Sequence, residues 1–243
     1  MTTNVVPTPL LKPGTRRGAE HPFFVGIALL IVAAVLIGFA HTYFVAGMFR
    51  AKLPSLLVHL HGAAFSGWIA LLTTQVFLVS AKRVRWHMRL GVAGMFLAPL
   101  MIVLGFATMV AAIRRNFASM AEMRIILVVN TITLVLFGCL VLWAFLARRD
   151  SPSHKRLMIL ATLSILGPAI DRWPFRFMGS ALSFFLALDS LFVLLAAYDL
   201  WTRRSLHRTT TWGLCLTAAW QILYRPIAHS RLVDHAISWL QRV

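Results

Sequence analysis

Seven predominantly apolar stretches follow one another along this chain of 243 residues, roughly 23–47, 56–80, 90–113, 125–147, 157–170, 180–200 and 212–224. A bilayer core of about 30 Å takes about 20 apolar residues per helical crossing. In that medium the backbone must satisfy its own hydrogen bonds, which a helix does within one segment. Seven crossings use up most of the chain. The sequence therefore predicts an all-α polytopic transmembrane bundle of about seven helices, with no sizeable soluble domain. Composition agrees, since 59% of the residues are hydrophobic and 13% charged, against about 45–50% and about 25% in soluble domains. The fifth and seventh stretches are short, and starting the fifth at His154 brings it closer to a full crossing.

The formal charge of +17, from 24 Lys and Arg against 7 Asp and Glu, would suggest nucleic acid in a soluble protein. Here the basic residues fall between apolar segments, at the level of anionic lipid headgroups, so the expected partner is the bilayer and not nucleic acid. The N-terminal tail and the second, fourth and sixth connections hold 14 of the 24 cations. Short cytoplasmic loops carry the Lys and Arg excess, which places the N-terminus inside. The expected organisation is a disordered tail over 1–22, without a small-residue cleavage site, a bundle over 23–225 and an interfacial helix over 226–243. In that last segment Leu232, Val233, Ala236, Ile237 and Leu240 recur at helical spacing among polar residues, the pattern of an amphipathic helix lying on a membrane. Cys139 and Cys215 lie within apolar stretches and read as packing residues.

The cytoplasmic connections end alike. Arg85-Trp86-His87-Met88-Arg89, Ser153-His154-Lys155-Arg156 and Leu206-His207-Arg208 each put a histidine and an arginine where a helix re-enters the membrane. A helical hairpin used three times would bring His87, His154 and His207 to one level. In the second stretch His61, Trp68 and Gln75 are spaced by seven and drift only about 20° per step, forming one stripe. His59 points to a different face, among Gly62, Ala63, Ser66 and Ala70. His41, Asn130 and Asp189 also fall at membrane depth, where a carboxylate is costly unless paired or protonated. Phosphate-binding glycine loops, HExxH, GxSxG and CxxCH motifs do not occur, which argues against a covalent-nucleophile enzyme. No catalytic residue is assigned.

Several of these motifs carry a resemblance: His61-Gly62 followed by Trp68 and Gln75, His87-Met88-Arg89-Leu90-Gly91, His154-Lys155-Arg156-Leu157-Met158 running to Gly167-Pro168-Ala169-Ile170, and His207 before Trp212-Gly213. Over roughly residues 55–215 the chain resembles a family of uncharacterised proteobacterial multi-pass membrane proteins, which implies the bacterial inner membrane and no particular activity. More distantly it is similar to four-histidine membrane proteins linked to cytochrome oxidase assembly.

Three functional expectations follow. In the first, some of His61, His87, His154 and His207 hold haem b or a copper or iron ion in redox or respiratory-enzyme maturation. Neutral imidazoles suit these metals, and Arg89, Arg156 and Arg208 would pair with haem propionates. A bare ion would fall to His87, His154 and His207. In the second, a transporter or proton-coupled permease uses His41, His61, Gln75, Asn130 and Asp189 as its pathway. In the third, the chain is a structural or lipid-binding subunit whose basic turns grip anionic lipid. A membrane-protein partner or a second copy is compatible with each.

Overall fold

In the computed structural model, residues 20–45, 55–116, 118–175 and 180–242 are described. Of the predicted tail over 1–22, residues up to 19 lie outside the described ones, as do Arg50, Lys52 and Arg176, while Glu20, His21 and Pro22 form the first turn of α1 rather than a disordered tail. The described chain is helical throughout, with nine α-helices, one π-helical turn and no strand. In order these are α1 (Glu20–Phe39), the π turn (Ala40–Phe44), α2 (Leu56–Ser80), α3 (Val84–Arg114), α4 (Met120–Leu146), α5 (Ser151–Ser164), α6 (Gly167–Ile170), α7 (Ala181–Arg203), α8 (Arg208–Ala228) and α9 (Arg231–Arg242). Five of them, α1, α2, α3, α4 and α7, are long and apolar enough to cross a membrane. Large apolar side chains such as Phe96, Leu182, Val193 and Ile222 point outward on these helices and on α8, which is how a bundle solvated by lipid presents itself.

The helix ends have local causes. Ser119 and Glu122 form a reciprocal cap on α4, with Ser119 N–H donating to Glu122 Oε2 at 2.8 Å and Glu122 N–H to Ser119 Oγ at 3.3 Å. This satisfies donors that the first turn leaves without intrahelical partners. Ser180 and Ser183 do the same for α7. Lys82 after α2 and Arg204 after α7 have φ of 58° and 61°, left-handed residues that stop those helices before the tight turns.

Several boundaries differ from the sequence reading, α3 for one starting at Val84 rather than 90. The fifth apolar stretch is a broken helix: α5 starts at Ser151, ends at Ser164 and is followed by the single turn α6. Pro168 explains the break, because it has no N–H to continue the α5 ladder, whereas at the second position of α6 the missing N–H costs nothing. The surface helix begins at Arg231 rather than 226, because α8 runs through Pro226 to Ala228. That α9 is more than a surface helix: Arg124 Nε donates to Asp234 Oδ1 at 2.6 Å, and Val233 and Ile237 are buried where α9 packs on α3 and α4. Leu232 and Trp239 face outward from it.

Helices α2 and α3, α3 and α4, and α4 and α5 pack as successive antiparallel neighbours, with α8 against both α4 and α5. Helix α1 joins through α2 and α6. A Cβ added at Gly38 would lie 2.0 Å from the Ala169 carbonyl oxygen, so glycine is what lets α1 meet the backbone of α6. Trp173 completes the contact, its indole N–H donating to the Ala34 carbonyl at 3.0 Å. Gly38→Ala should therefore lower the thermal midpoint of the detergent-purified protein, in line with an overpacking cost of about 1–3 kcal/mol. Gly26→Ala, whose Cβ meets nothing within 4 Å, should leave it unchanged in the same melting experiment.

Candidate functional site

The chemistry gathers at the end of the bundle where the α2–α3, α4–α5 and α7–α8 turns lie. His87 and His154 each occupy the fourth position of a helix, α3 and α5 respectively. Their rings stand with centroids 6.2 Å apart and planes at 89°. His154 Nδ1 is 2.8 Å from the Ala144 carbonyl. A carbonyl only accepts, so in the neutral ring Nδ1 carries the hydrogen and Nε2 keeps its lone pair.

His87 Nδ1 and Gln75 Oε1 are both buried without a hydrogen-bond partner. The Gln75 amide lies against Gly91, one turn beyond His87, where an added Cβ would come within 3.4 Å of its Nε2. The polar groups acting on the His87 ring include His154 and the Gln75 backbone carbonyl. Buried polar atoms in native proteins are ordinarily paired. His87 Nδ1 and Gln75 Oε1 both belong to the α2–α3 hairpin, on whose second helix His87 meets His154.

Next to this pair stands a fully satisfied ionic knot. Asp199, in the last turn of α7, is 0% exposed and Arg156, on α5, is 3% exposed. Arg156 Nε donates to Asp199 Oδ1 at 2.9 Å, and Nη2 donates to the same oxygen. Oδ2 accepts from the Thr210 hydroxyl at 2.6 Å and from the His207 backbone N–H at 3.0 Å. Arg156 Nη1 is taken up by the Pro152 carbonyl at 2.9 Å. A buried pair survives only when its remaining donors and acceptors are bonded in this way. The knot ties α5, α7 and the start of α8 to one another.

The residues singled out by sequence divide accordingly. His207 caps α8, its Nδ1 accepting from the Thr209 N–H at 3.3 Å with the Thr209 hydroxyl at 2.8 Å. Burial first, then the nearby Arg156 and Arg203, hold its pKa below the ordinary histidine value, which keeps Nδ1 an acceptor. Among the described residues no group of three or more His, Cys, Asp or Glu side chains is arranged to hold a metal ion. The three turns thus do not make a three-histidine metal centre, because the His207 ring is spent on its own helix. Nor does Arg156 remain for a propionate, since Asp199 occupies it. Arg89 lies 5.5 Å from the Trp86 ring, and Arg208 is exposed. His61 is bonded to Thr108 Oγ1 at 3.4 Å and sits 14 residues, about 21 Å of helix, from Gln75.

Two residues of the transport reading, Asn130 and Asp189, have hydrogen-bond partners within the bundle. Asn130 Nδ2 donates to the Ile126 carbonyl of its own helix at 2.8 Å. Asp189 Oδ1 accepts from Gln221 Nε2 at 2.7 Å, joining α7 to α8. His41 lies in the π turn after α1. Trp68, the centre of the α2 stripe, is 1% exposed and donates to Thr162 Oγ1 at 3.1 Å, fixing α2 against α5. Sequence reasoning missed Asp199 and Thr210. A signal was present in the acid count: with seven acids in the chain, one that ends an apolar run near three basic turns calls for a partner.

Compared with protein-family models, with curated proteins and with solved structures, the chain matches none.

Removing one partner of a buried pair costs about 3–5 kcal/mol, whereas replacing both by apolar residues of similar size is close to neutral. Asp199→Leu alone should therefore lower the thermal midpoint sharply, and Asp199→Leu with Arg156→Met should recover most of the loss. Equal midpoints for the single and double variants would contradict the ionic knot.

Proposed function

We propose that the chain is a seven-crossing protein of the bacterial inner membrane, N-terminus inside, that holds a redox-active cofactor between His87 and His154 and serves in respiratory-enzyme maturation. Helices α5–α6 together and α8 supply the sixth-to-seventh crossing count beyond the five long apolar helices, with α9 on the outer side. The observation that carries the reading is the approach of the two histidine rings from different hairpins.

Two imidazoles on one metal, with metal–nitrogen bonds of about 2.0–2.1 Å and centroids about 1.1 Å behind the nitrogens, stand about 6 Å apart. The 6.2 Å separation of His87 and His154 fits that requirement. The Ala144 carbonyl behind His154 is the kind of outer partner that fixes the tautomer and orientation of a metal-bound histidine. The donor set suits haem iron with two axial imidazoles, or a copper or iron ion. Such a group would supply one-electron chemistry; the protein's part is to orient both rings. Of the permease residues, Asn130 is bonded within its own helix and Asp189 to Gln221 of α8.

Protein purified in detergent from its native membrane should show a haem absorption band or stoichiometric copper or iron. His87→Gln and His154→Gln should each abolish it, while His207→Gln should not. A colourless wild-type protein free of these metals would overturn the proposal. A reporter fused at the C-terminus should read outside, as seven crossings demand.

A further inference from the structure

Resting on the proposed cofactor reading, we infer that the site's cargo is a single monovalent copper ion, and that the Met158 thioether is its third ligand. His154, Met158 and Thr162 are spaced by four on α5, so they stand one above another on one face. Two members of that row have fixed directions. His154 meets His87, and Thr162 receives the Trp68 indole N–H of α2 at 3.1 Å. Met158, half-buried and packed on the core, therefore sits one turn deeper than His154, on the side that faces α2.

On the opposite wall Gln75 comes seven residues after Trp68 on the same stripe of α2, at the level of Gly91. The row of α5 and the stripe of α2 thus run side by side, with His154 and Met158 on one wall and Gln75 and His87 on the other. Thioethers are soft donors that select monovalent copper, and imidazole also suits copper.

Charge favours the same ion. The donors at the site, two imidazoles, a thioether and an amide, are neutral. Asp199 is neutralised by Arg156, and Asp150, which keeps its charge, accepts from the Ser153 hydroxyl at 2.5 Å. A cation entering this half-buried site gives up part of its hydration, a loss that grows with the square of the charge and that soft neutral donors offset best for a monovalent ion. A monovalent ion is tolerated where zinc or ferrous iron is not. Two histidines without a third His, Cys, Asp or Glu among the described residues also fall short of the four ligands that zinc takes, whereas copper in its lower state is content with two or three.

The test is anaerobic titration of the detergent-purified protein with copper under ascorbate against a chromogenic copper(I) chelator, with X-ray absorption on the loaded sample. Wild-type protein should bind one copper per chain and show a sulfur neighbour at about 2.3 Å, a distance typical of metal–sulfur bonds. Met158→Leu, a volume-conserving swap that cores tolerate, should keep its thermal midpoint, weaken copper binding at least tenfold and lose the sulfur neighbour. His87→Gln should abolish binding, and zinc should not compete at equal concentration. Copper bound equally well by Met158→Leu, or haem found in place of copper, would overturn this inference and leave the cofactor site standing. Wild-type protein that takes up neither copper, iron nor haem would remove the cofactor reading, and this inference with it.

Discussion

The buried pair of Arg156 and Asp199 is the interaction on which the end of the bundle that carries the α4–α5 and α7–α8 turns depends. Two charges of opposite sign removed from water are stabilising only if every remaining donor and acceptor is met, and meeting them here recruits Thr210, the His207 backbone and the Pro152 carbonyl. Those partners come from α5, α7, α8 and the turn between the last two. Satisfying one carboxylate therefore fixes the mutual placement of three helices. The aromatic layer beside it follows, with Phe23 of α1 stacked on Tyr198 at 3.8 Å and Lys155 paired with Glu20, so that α1 is drawn to the same end.

His154 inherits its position from this arrangement. It lies two residues before Arg156, roughly half a turn round α5, so holding Arg156 toward α7 turns His154 toward the α2–α3 hairpin. The same helix is held lower down by Trp68 and Thr162. Between these two anchors the face of α5 that carries His154 and Met158 has little freedom to rotate. A ligand site built on it gains rigidity without any residue devoted to that purpose alone.

Much of this was legible beforehand, and the exceptions have physical reasons. Long apolar runs announce helices in lipid because the bilayer tolerates no other single-segment solution, so α1, α2, α3, α4 and α7 were visible from hydropathy. The break between α5 and α6 was not drawn, since Pro168 within a short apolar run allows either a kink or an end. Helix α8 continues past Pro226 at the loss of one backbone N–H, and its end still closes, with His229 N–H donating to the Arg225 carbonyl at 3.1 Å. Among the histidines, sequence showed three equivalent turns but not their different duties. His207 follows the αL residue Arg204 by three positions, which makes it a helix cap, whereas His87 and His154 lie inside their helices and are free to point across. Asp199 was hidden because its partner is 43 residues away and pairing between distant segments leaves no local pattern.

That separation has a consequence for how the protein is made. A translating ribosome delivers Arg156 to the membrane well before Asp199, and Thr210 later still. Until α7 and the head of α8 arrive, the guanidinium has no carboxylate and the upper part of α5 cannot settle into the apolar phase. The knot is thus closed from the C-terminal side of the chain, and a chain that ends before α7 leaves Arg156 without its carboxylate.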